Sequence, residues 1–215
     1  MKPINLRFLF IRHAQSIKNT DPTRIAGRSE DTPLSEIGKN QAQLLGNRLK
    51  TDQIIPDAIF ASPLPRALDT AKISLHEAGI NTPIQLVEDL QEFTQGDWEG
   101  ELRNDIYQPE TLAKINTAGY LFTPPNGESQ RMVERRVSNW LEDTILYNPD
   151  FHGEEEKTIL IYSHGIAIKC LLHYILRFSD RYIYRFELNN TGICEFRFTE
   201  QGWFPTAIND HSHLK

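Results

Sequence analysis

Thr158-Ile159-Leu160-Ile161-Tyr162-Ser163-His164-Gly165 reads as a strand that breaks on a histidine and a glycine. A short, unbroken apolar run of this kind suits a strand covered on both faces, as in a parallel sheet. Residues 6–11 form a second strand-like run, apolar apart from Arg7, and end on Arg12-His13. Residues 58–60 form a third, which breaks at Ser62-Pro63 with Arg66 just beyond, and residues 84–87 form a fourth, which leads to Glu92. Helical patterns separate these runs, and alternation of strand and helix is the pattern of layered βαβ units. The expected architecture is therefore α/β, a three-layer sandwich. It has a mostly parallel central sheet, helices on both faces and a small covering insertion. In such a sheet, ligands bind in the crevice outside the carboxyl ends of the strands. Two imidazoles, two guanidiniums and a carboxylate at those ends are suited to phosphate-ester chemistry.

Working outward along the chain, residues 24–34 are punctuated by Gly and Pro and read as a loop. Ser35 is placed to cap a helix running to Lys50, with Ile37, Ala42, Leu44, Leu45 and Leu49 apolar or small. Pro65 sits early in the next helix, residues 64–78, where its missing N–H does little harm. Residues 101–125 have poor periodicity and read as an insertion over the site within one domain, 1–215. Ser129 can cap a helix to Tyr147 that turns Met132, Val133, Val137, Trp140, Leu141 and Ile145 inward. Residues 152–157 read as a charged surface loop and 166–176 as an almost wholly apolar, buried helix. Residues 186–190 and 192–198 look like two late strands, a hairpin around Asn189-Asn190. The tail His211-Ser212-His213 has an H-x-H spacing but reads as a mobile polar end and not a metal site.

The bulk numbers exclude several classes. A chain of 215 residues buries roughly 70% of its unfolded surface, enough to fold without disulfides or metals. Cys170 and Cys194 are the only cysteines, too few for a disulfide framework or a zinc site. They read as reduced core thiols, which fits a cytoplasmic protein. Met1-Lys2-Pro3 leads directly into a strand, without the charged-then-apolar pattern of a leader. No apolar stretch approaches the ~20 residues of a membrane span. The net charge of −6 argues against nucleic acid as a partner, because phosphate backbones demand basic stripes. A small phosphate ester remains suitable if positive charge is local. The long helix near Trp140, or an edge strand, leaves a homodimer open.

Taken singly, each candidate residue has a plain reading: a structural histidine, a surface ion pair for Arg66, a solvated carboxylate for Glu92, turn residues for Ser16 and Asn19. Together they are harder to dismiss. Arg12, set between an apolar strand and His13, is a costly charge unless an anion pairs with it, and its planar fork suits phosphate oxygens. Gly165 lets a backbone approach a ligand and opens a helix N-terminus, where N–H groups favour anions.

The chain resembles the histidine phosphatase superfamily, with its phosphoglycerate mutase-like fold, over most of its length and in the family's order. Arg12-His13-Ala14-Gln15-Ser16 with Asn19 is similar to the opening R-H-G-x-[ST]-x-x-N motif. The segment Gly27-Arg28-Ser29-Glu30-Asp31-Thr32-Pro33-Leu34-Ser35 with Gly38 resembles the next family element, shifted by one residue. Ser62-Pro63-Leu64-Pro65-Arg66-Ala67 with Thr70-Ala71 resembles S-x-x-x-R-A-x-x-T-A. Glu92 with Gly96, Trp98, Glu99 and Gly100 resembles the acid-bearing element. Gly127-Glu128-Ser129 with Arg136 resembles a G-E-S helix start, and Ser163-His164-Gly165 the second histidine motif. Ala14 departs from the common glycine and bears on how closely backbone and phosphate approach there.

The resemblance implies a phosphoric monoester hydrolase of the histidine acid type, needing no metal or other cofactor. It implies His13 as nucleophile, Arg12, Arg66 and His164 around the transferring phosphoryl group, and Glu92 as proton donor and acceptor. It further implies phosphate binding by Arg12, Ser16, Asn19, Arg66, His164 and Gly165. The superfamily also holds cofactor-dependent phosphoglycerate mutases, whose acid lies in an E-R-H-Y-G-type stretch. Here Glu92-Phe93-Thr94-Gln95-Gly96 lacks the Arg and Tyr, and the covering insertion carries only Arg103 and Lys114 as Lys or Arg. Both features resemble the phosphatase branch. A non-catalytic module that holds a phosphorylated ligand is the reading from another class. The insertion, with Tyr107, Tyr120 and Phe122 able to stack on a ring or pack as a lid, is expected to set the substrate.

Overall fold

A computed structural model describes residues 3–29 and 32–215. Its six strands are β1 (Asn5–Arg12), β2 (Ala58–Ala61), β3 (Ile84–Leu86), β4 (Lys157–Ser163), β5 (Ile193–Thr199) and β6 (Gly202–Asp210). They form one sheet in the order β3-β2-β4-β1-β5-β6. The first four are parallel, and β5 and β6 are antiparallel additions at one edge.

The runs in β1, β2 and β4 are buried on both faces because side chains alternate across the sheet, whereas β3 lies at the sheet edge with Leu86 exposed. Phe8, Phe10, Phe60, Ile159 and Ile161 point into one core. Leu9, Ile11, Ile59, Leu160 and Tyr162 point into the other. Two helices, α1 (Glu36–Thr51) and α2 (Pro65–Ala78), cover the second face. The first face is covered by α5 (Gln130–Leu141), continued by a π-helical turn over Glu142–Leu146, and by α6 (Gly165–Leu176). Between them come two short helices, α3 (Arg103–Ile106) and α4 (Pro109–Ala118). The layers are those expected.

Local signals fix the helix ends. Ser35 Oγ accepts from Gly38 N at 3.0 Å and Ser129 Oγ from Met132 N at 3.2 Å, as N-caps do. Pro65 opens α2 and Gly79 closes it at φ 72°, the left-handed stop that glycine adopts freely.

Four expectations need correction. Ile37 and Met132 are exposed, each one residue off its helix's core stripe: Gly38, Ala42, Leu45, Leu49 in α1 and Val133, Val137, Trp140, Leu141 in α5. The late hairpin turns at Glu200-Gln201, not at Asn189-Asn190. Residues 186–190 are not a strand, because the Asn209 side chain caps Asn189 N at 2.7 Å and the Arg12 guanidinium takes Leu188 O. β6 carries Pro205, which an edge strand tolerates. The tail is not loose: Ser212–Leu214 forms a turn, His213 Nε2 pairs with Thr191 Oγ1 at 2.9 Å, and Arg48 donates to Ser212 Oγ at 2.6 Å. Trp140 is buried edge-on against Phe60.

No described helix is long and apolar enough to cross a membrane. Among the described residues no cluster of three or more His, Cys, Asp or Glu is placed to hold a metal ion.

Candidate active site

The carboxyl ends of β1, β2 and β4 deliver Arg12-His13, Ser62 and Ser163-His164 to one end of the sheet. A cavity of about 610 Å³ opens there. Arg12, His13, Ser16, Asn19, Arg66, Glu92 and Gly165 all line it. His164 is fully buried and stands behind His13, with ring centroids 5.1 Å apart. Seven of the eight residues singled out in the sequence thus form the wall, and the eighth backs the central one.

His13 is 3% exposed, and its Nδ1 lies 2.6 Å from the Ala14 carbonyl. A carbonyl only accepts, so Nδ1 carries the proton and Nε2 is left with a free lone pair. Burial, then the charges of Arg12 and Arg66, hold His13 well below the ordinary imidazole value, against the opposing pull of the Ala14 hydrogen bond. The ring is neutral at pH 7. His164 is pushed well below that value too, by burial first and Arg66 next. Its Nε2 is 2.8 Å from Ser62 Oγ, and its buried Nδ1 has no partner among the described residues.

Among the described residues the guanidiniums are held by backbone and not by carboxylates. Arg66 is 4% exposed and donates to Ser29 O at 3.0 Å and to Gly27 O and Arg28 O at 3.1 Å. It is no surface ion pair. Burial lowers its pKa, and Arg12 is lowered by burial in the same way. Arg12 donates to Leu188 O, while its buried Nε has no partner among the described residues. A Cβ at position 165 would lie 3.5 Å from that Nε, so a side chain there would cover it; glycine leaves it open.

Glu92 accepts from Phe93 N at 2.9 Å, Ile166 N at 3.2 Å and Ala167 N at 3.1 Å. The carboxyl group therefore caps the N-terminus of α6 through these N–H groups. Two of the N–H groups expected to meet phosphate are taken up by this acid instead. Ser16 donates through N and Oγ to Asn19 Oδ1 at 3.0 and 3.1 Å, which closes the turn after His13.

Ala14 is buried against Leu34, Ala42 and Ile73, away from the cavity wall. The methyl group that distinguishes it from glycine packs into the core. Its N–H goes to Thr70 Oγ1 at 2.9 Å, which ties the loop to α2.

Some participants carried no assigned role at the level of sequence. Glu99 accepts from Arg28 N, Ser29 N and Gln95 N within 3.0 Å and so shapes the loop that holds Arg66. Lys169 lines the cavity one turn beyond Gly165, and the i, i+4 spacing was its only signal. Trp98 stacks on Phe122 at 5.5 Å and meets Tyr107 edge-on. These three rings, with Leu112 and Ile115, form an apolar wall. Tyr120 does not join them; it is buried and donates to Glu134 at 2.7 Å. Glu30 and Asp31, quoted above in the second motif, lie outside the described residues.

Against known proteins, a model described as the histidine phosphatase superfamily (branch 1) matches residues 8–211. The chain is 30% identical to a probable phosphoglycerate mutase of Yersinia pestis, over 97% of this chain and 95% of that one. It is similar to the structure of YhfR from Bacillus stearothermophilus, with a TM-score of 0.82, 28% identity and coverage of 98% and 100%. It is also similar to a phosphoserine phosphatase variant from Entamoeba histolytica in complex with phosphoserine, with a TM-score of 0.77, 26% identity and coverage of 98% and 100%.

Proposed function

The chain belongs to the histidine phosphatase superfamily, and within it we propose a phosphomonoester hydrolase of the histidine acid type that acts on a small phosphorylated metabolite. The observation that carries this reading is the tautomer of His13. Its Nδ1–H is fixed by Ala14 O, and the remaining nitrogen is an uncharged nucleophile beside two guanidiniums.

In the first step His13 Nε2 attacks phosphorus in line, the bond to the ester oxygen breaks, and a phosphohistidine forms. Phosphoryl transfer asks the protein for positioning and charge stabilisation more than covalent help. Arg12 Nε–H and, in the tautomer whose Nε2 accepts from Ser62 Oγ, His164 Nδ1–H are buried without partners among the described residues and are donors that phosphoryl oxygens would satisfy. Glu92 gives its proton to the leaving alkoxide and takes one from the incoming water. Ser16, Asn19 and Gly165 complete the phosphate end of the cavity, and no metal or other cofactor enters the scheme. We read the chain as one domain, 1–215, with residues 101–125 covering the site and its apolar wall meeting the alcohol part of the ester. Two buried free thiols, Cys170 and Cys194, suit a reducing compartment such as the cytoplasm.

The test is turnover of p-nitrophenyl phosphate in the presence of EDTA, followed by an alkaline denaturing quench and detection of acid-labile, base-stable phosphate on the protein. Turnover with labelled His13 supports the reading; binding without turnover would make the protein a phospho-ligand module. The Yersinia relative, described as a probable mutase, favours phosphoglycerate mutase as a second reading. Steady formation of 2-phosphoglycerate from 3-phosphoglycerate and catalytic 2,3-bisphosphoglycerate would establish it in place of hydrolysis. A panel of phosphorylated metabolites then identifies the substrate.

A further inference from the structure

Glu128 sits at the start of α5 and touches none of the candidate catalytic side chains, yet it lies at the centre of a bonded network. Its Oε1 accepts from Arg136 Nε at 2.9 Å, and its Oε2 from Arg136 Nη2 at 3.1 Å and Arg28 Nη2 at 2.9 Å. Both guanidiniums also donate to a single backbone atom, the carbonyl of Glu92: Arg28 Nε at 3.3 Å and Arg136 Nη2 at 3.2 Å. Glu128 N donates to Thr94 O at 3.0 Å, and Thr94 N returns a bond to Glu128 Oε2 at 3.3 Å. The segment that carries Glu92 is thus gripped at residues 92 and 94 by one carboxylate and its two arginines.

The charges in the network are well matched. Burial raises the Glu128 carboxyl, but the hydrogen bonds and charges of Arg136 and Arg28 outweigh it and hold the group below the usual carboxylate range. Glu128 and Arg136 are 13% and 15% exposed in their side chains, so water does little to loosen them. Bidentate, part-buried pairs of this kind fix geometry as well as charge. Arg28 has a second task, since its own carbonyl, with those of Gly27 and Ser29, accepts from Arg66. One residue therefore joins the Glu92 backbone to the guanidinium on the phosphate side.

We propose that Glu128, acting through Arg28 and Arg136, is a positioning residue that sets the distance between the Glu92 carboxyl and the ester oxygen. The proposal rests on the reading of Glu92 as the proton donor. Its physical basis is that proton transfer depends steeply on geometry: a displacement of order 1 Å can cost about 100-fold in rate. The need is greatest when the leaving group is a strongly basic alkoxide. It is smaller for p-nitrophenolate, which departs with little help.

The experiment compares wild type, Glu128→Gln, Glu92→Gln and the double variant on p-nitrophenyl phosphate and on β-glycerol phosphate. Glu128→Gln is expected to lower kcat/KM for the alkyl ester about tenfold more than for the aryl ester, because a displaced acid is costly only where an acid is needed. The double variant should be no slower on the alkyl ester than Glu92→Gln alone. Equal losses on both esters from Glu128→Gln, or additive losses in the double variant, would overturn the positioning role and leave the hydrolase intact. Equal losses on both esters from Glu92→Gln would instead remove the proton-donor assignment beneath it. If Glu128→Gln does not fold, Arg28→Met carries the same comparison, because its side chain is 29% exposed.

Discussion

His13 and His164 stand 5.1 Å apart, centroid to centroid, with their rings tilted 56° to one another. Among the described residues neither has a carboxylate partner; their side-chain polar contacts are a carbonyl and a hydroxyl. Two imidazoles this close beside two guanidiniums are kept neutral by burial and by positive charge.

This has a consequence for pH. The unfolded chain binds protons on both rings below about pH 6.5, whereas the folded chain keeps them off because both pKa values are depressed. The stability contributed by these groups is therefore fully present above the unfolded value and is lost as pH falls from there towards the folded values. In NMR titrations, the two imidazole Cε1–H signals should stay fixed from pH 7.5 to 5.5 while urea midpoints decline below pH 6.5. A full titration step near 6.5 for either ring would contradict the burial argument. In His13→Ala turnover of p-nitrophenyl phosphate, expected on the proposed mechanism, should vanish and the circular dichroism should not change.

Arg66 spends three donor bonds on Gly27, Arg28 and Ser29 carbonyls. A guanidinium has five N–H groups, so about two remain, on Nε and Nη1, for phosphate oxygens. Lysine has the charge but not the fork. Arg66→Lys should lower kcat/KM for phosphate esters by about 100-fold or more and weaken inhibition by inorganic phosphate in parallel. Retention of phosphate inhibition with loss of turnover would show that Arg66 shapes the loop without contacting the anion.

Much of this arrangement was legible in the sequence because β strands with two covered faces leave mostly apolar runs, and Arg12-His13 and His164 follow two of those runs directly. The elements missed were those whose polar groups are satisfied from far away. Residues 186–190 have strand-like composition, but Asn209 and Arg12 supply their partners; nothing local signals that. β6 alternates weakly, contains Pro205 and gains its order from β5. In the site, His13, Arg66 and Glu92 were readable from position, whereas the roles of Glu99 and Glu128 were not. Their partners lie on other segments, and a bond from Glu128 to Arg28, 100 residues apart, leaves no spacing to find.

Gly38 has a packing reason that its sequence context did not reveal. A Cβ on it would sit 2.0 Å from the Gln15 carbonyl oxygen, a backbone atom in the loop that follows His13. Since the loop is also tied to Thr70, it cannot yield cheaply. Gly38→Ala should destabilise the fold by about 2 kcal/mol, as overpacking does, and should lower turnover more than Gly46→Ala. The Cβ at Gly46 meets Ser74 O and Glu77 Cβ at 2.5 Å, both on α2 and not on the loop after His13. Denaturant melts together with kinetics on p-nitrophenyl phosphate check both halves. Equal catalytic losses at the two positions would mean that the effect is stability alone.

Tyr120 anchors the covering segment to the helical layer beneath it. Its hydroxyl donates at 2.7 Å to Glu134, a carboxylate only 2% exposed that also pairs with His173 and Arg131. Tyr120 stacks at a tilt on His173, 4.9 Å between centroids. Burial, followed by the neighbouring Cys170 and Glu134, raises the phenol's pKa, so it stays protonated and donating through the physiological range. Tyr120→Phe keeps the ring and removes the donor, which costs about 1–2 kcal/mol where a buried acceptor loses a partner. The loss should fall locally, because few other buried side chains hold residues 103–121 down. Amide hydrogen exchange in that stretch should accelerate while β1 and β4 amides remain protected, and KM should rise more than kcat falls, since the apolar wall is what loosens. If exchange accelerates uniformly, or not at all, the cover is held by its packing and the hydroxyl is not its anchor.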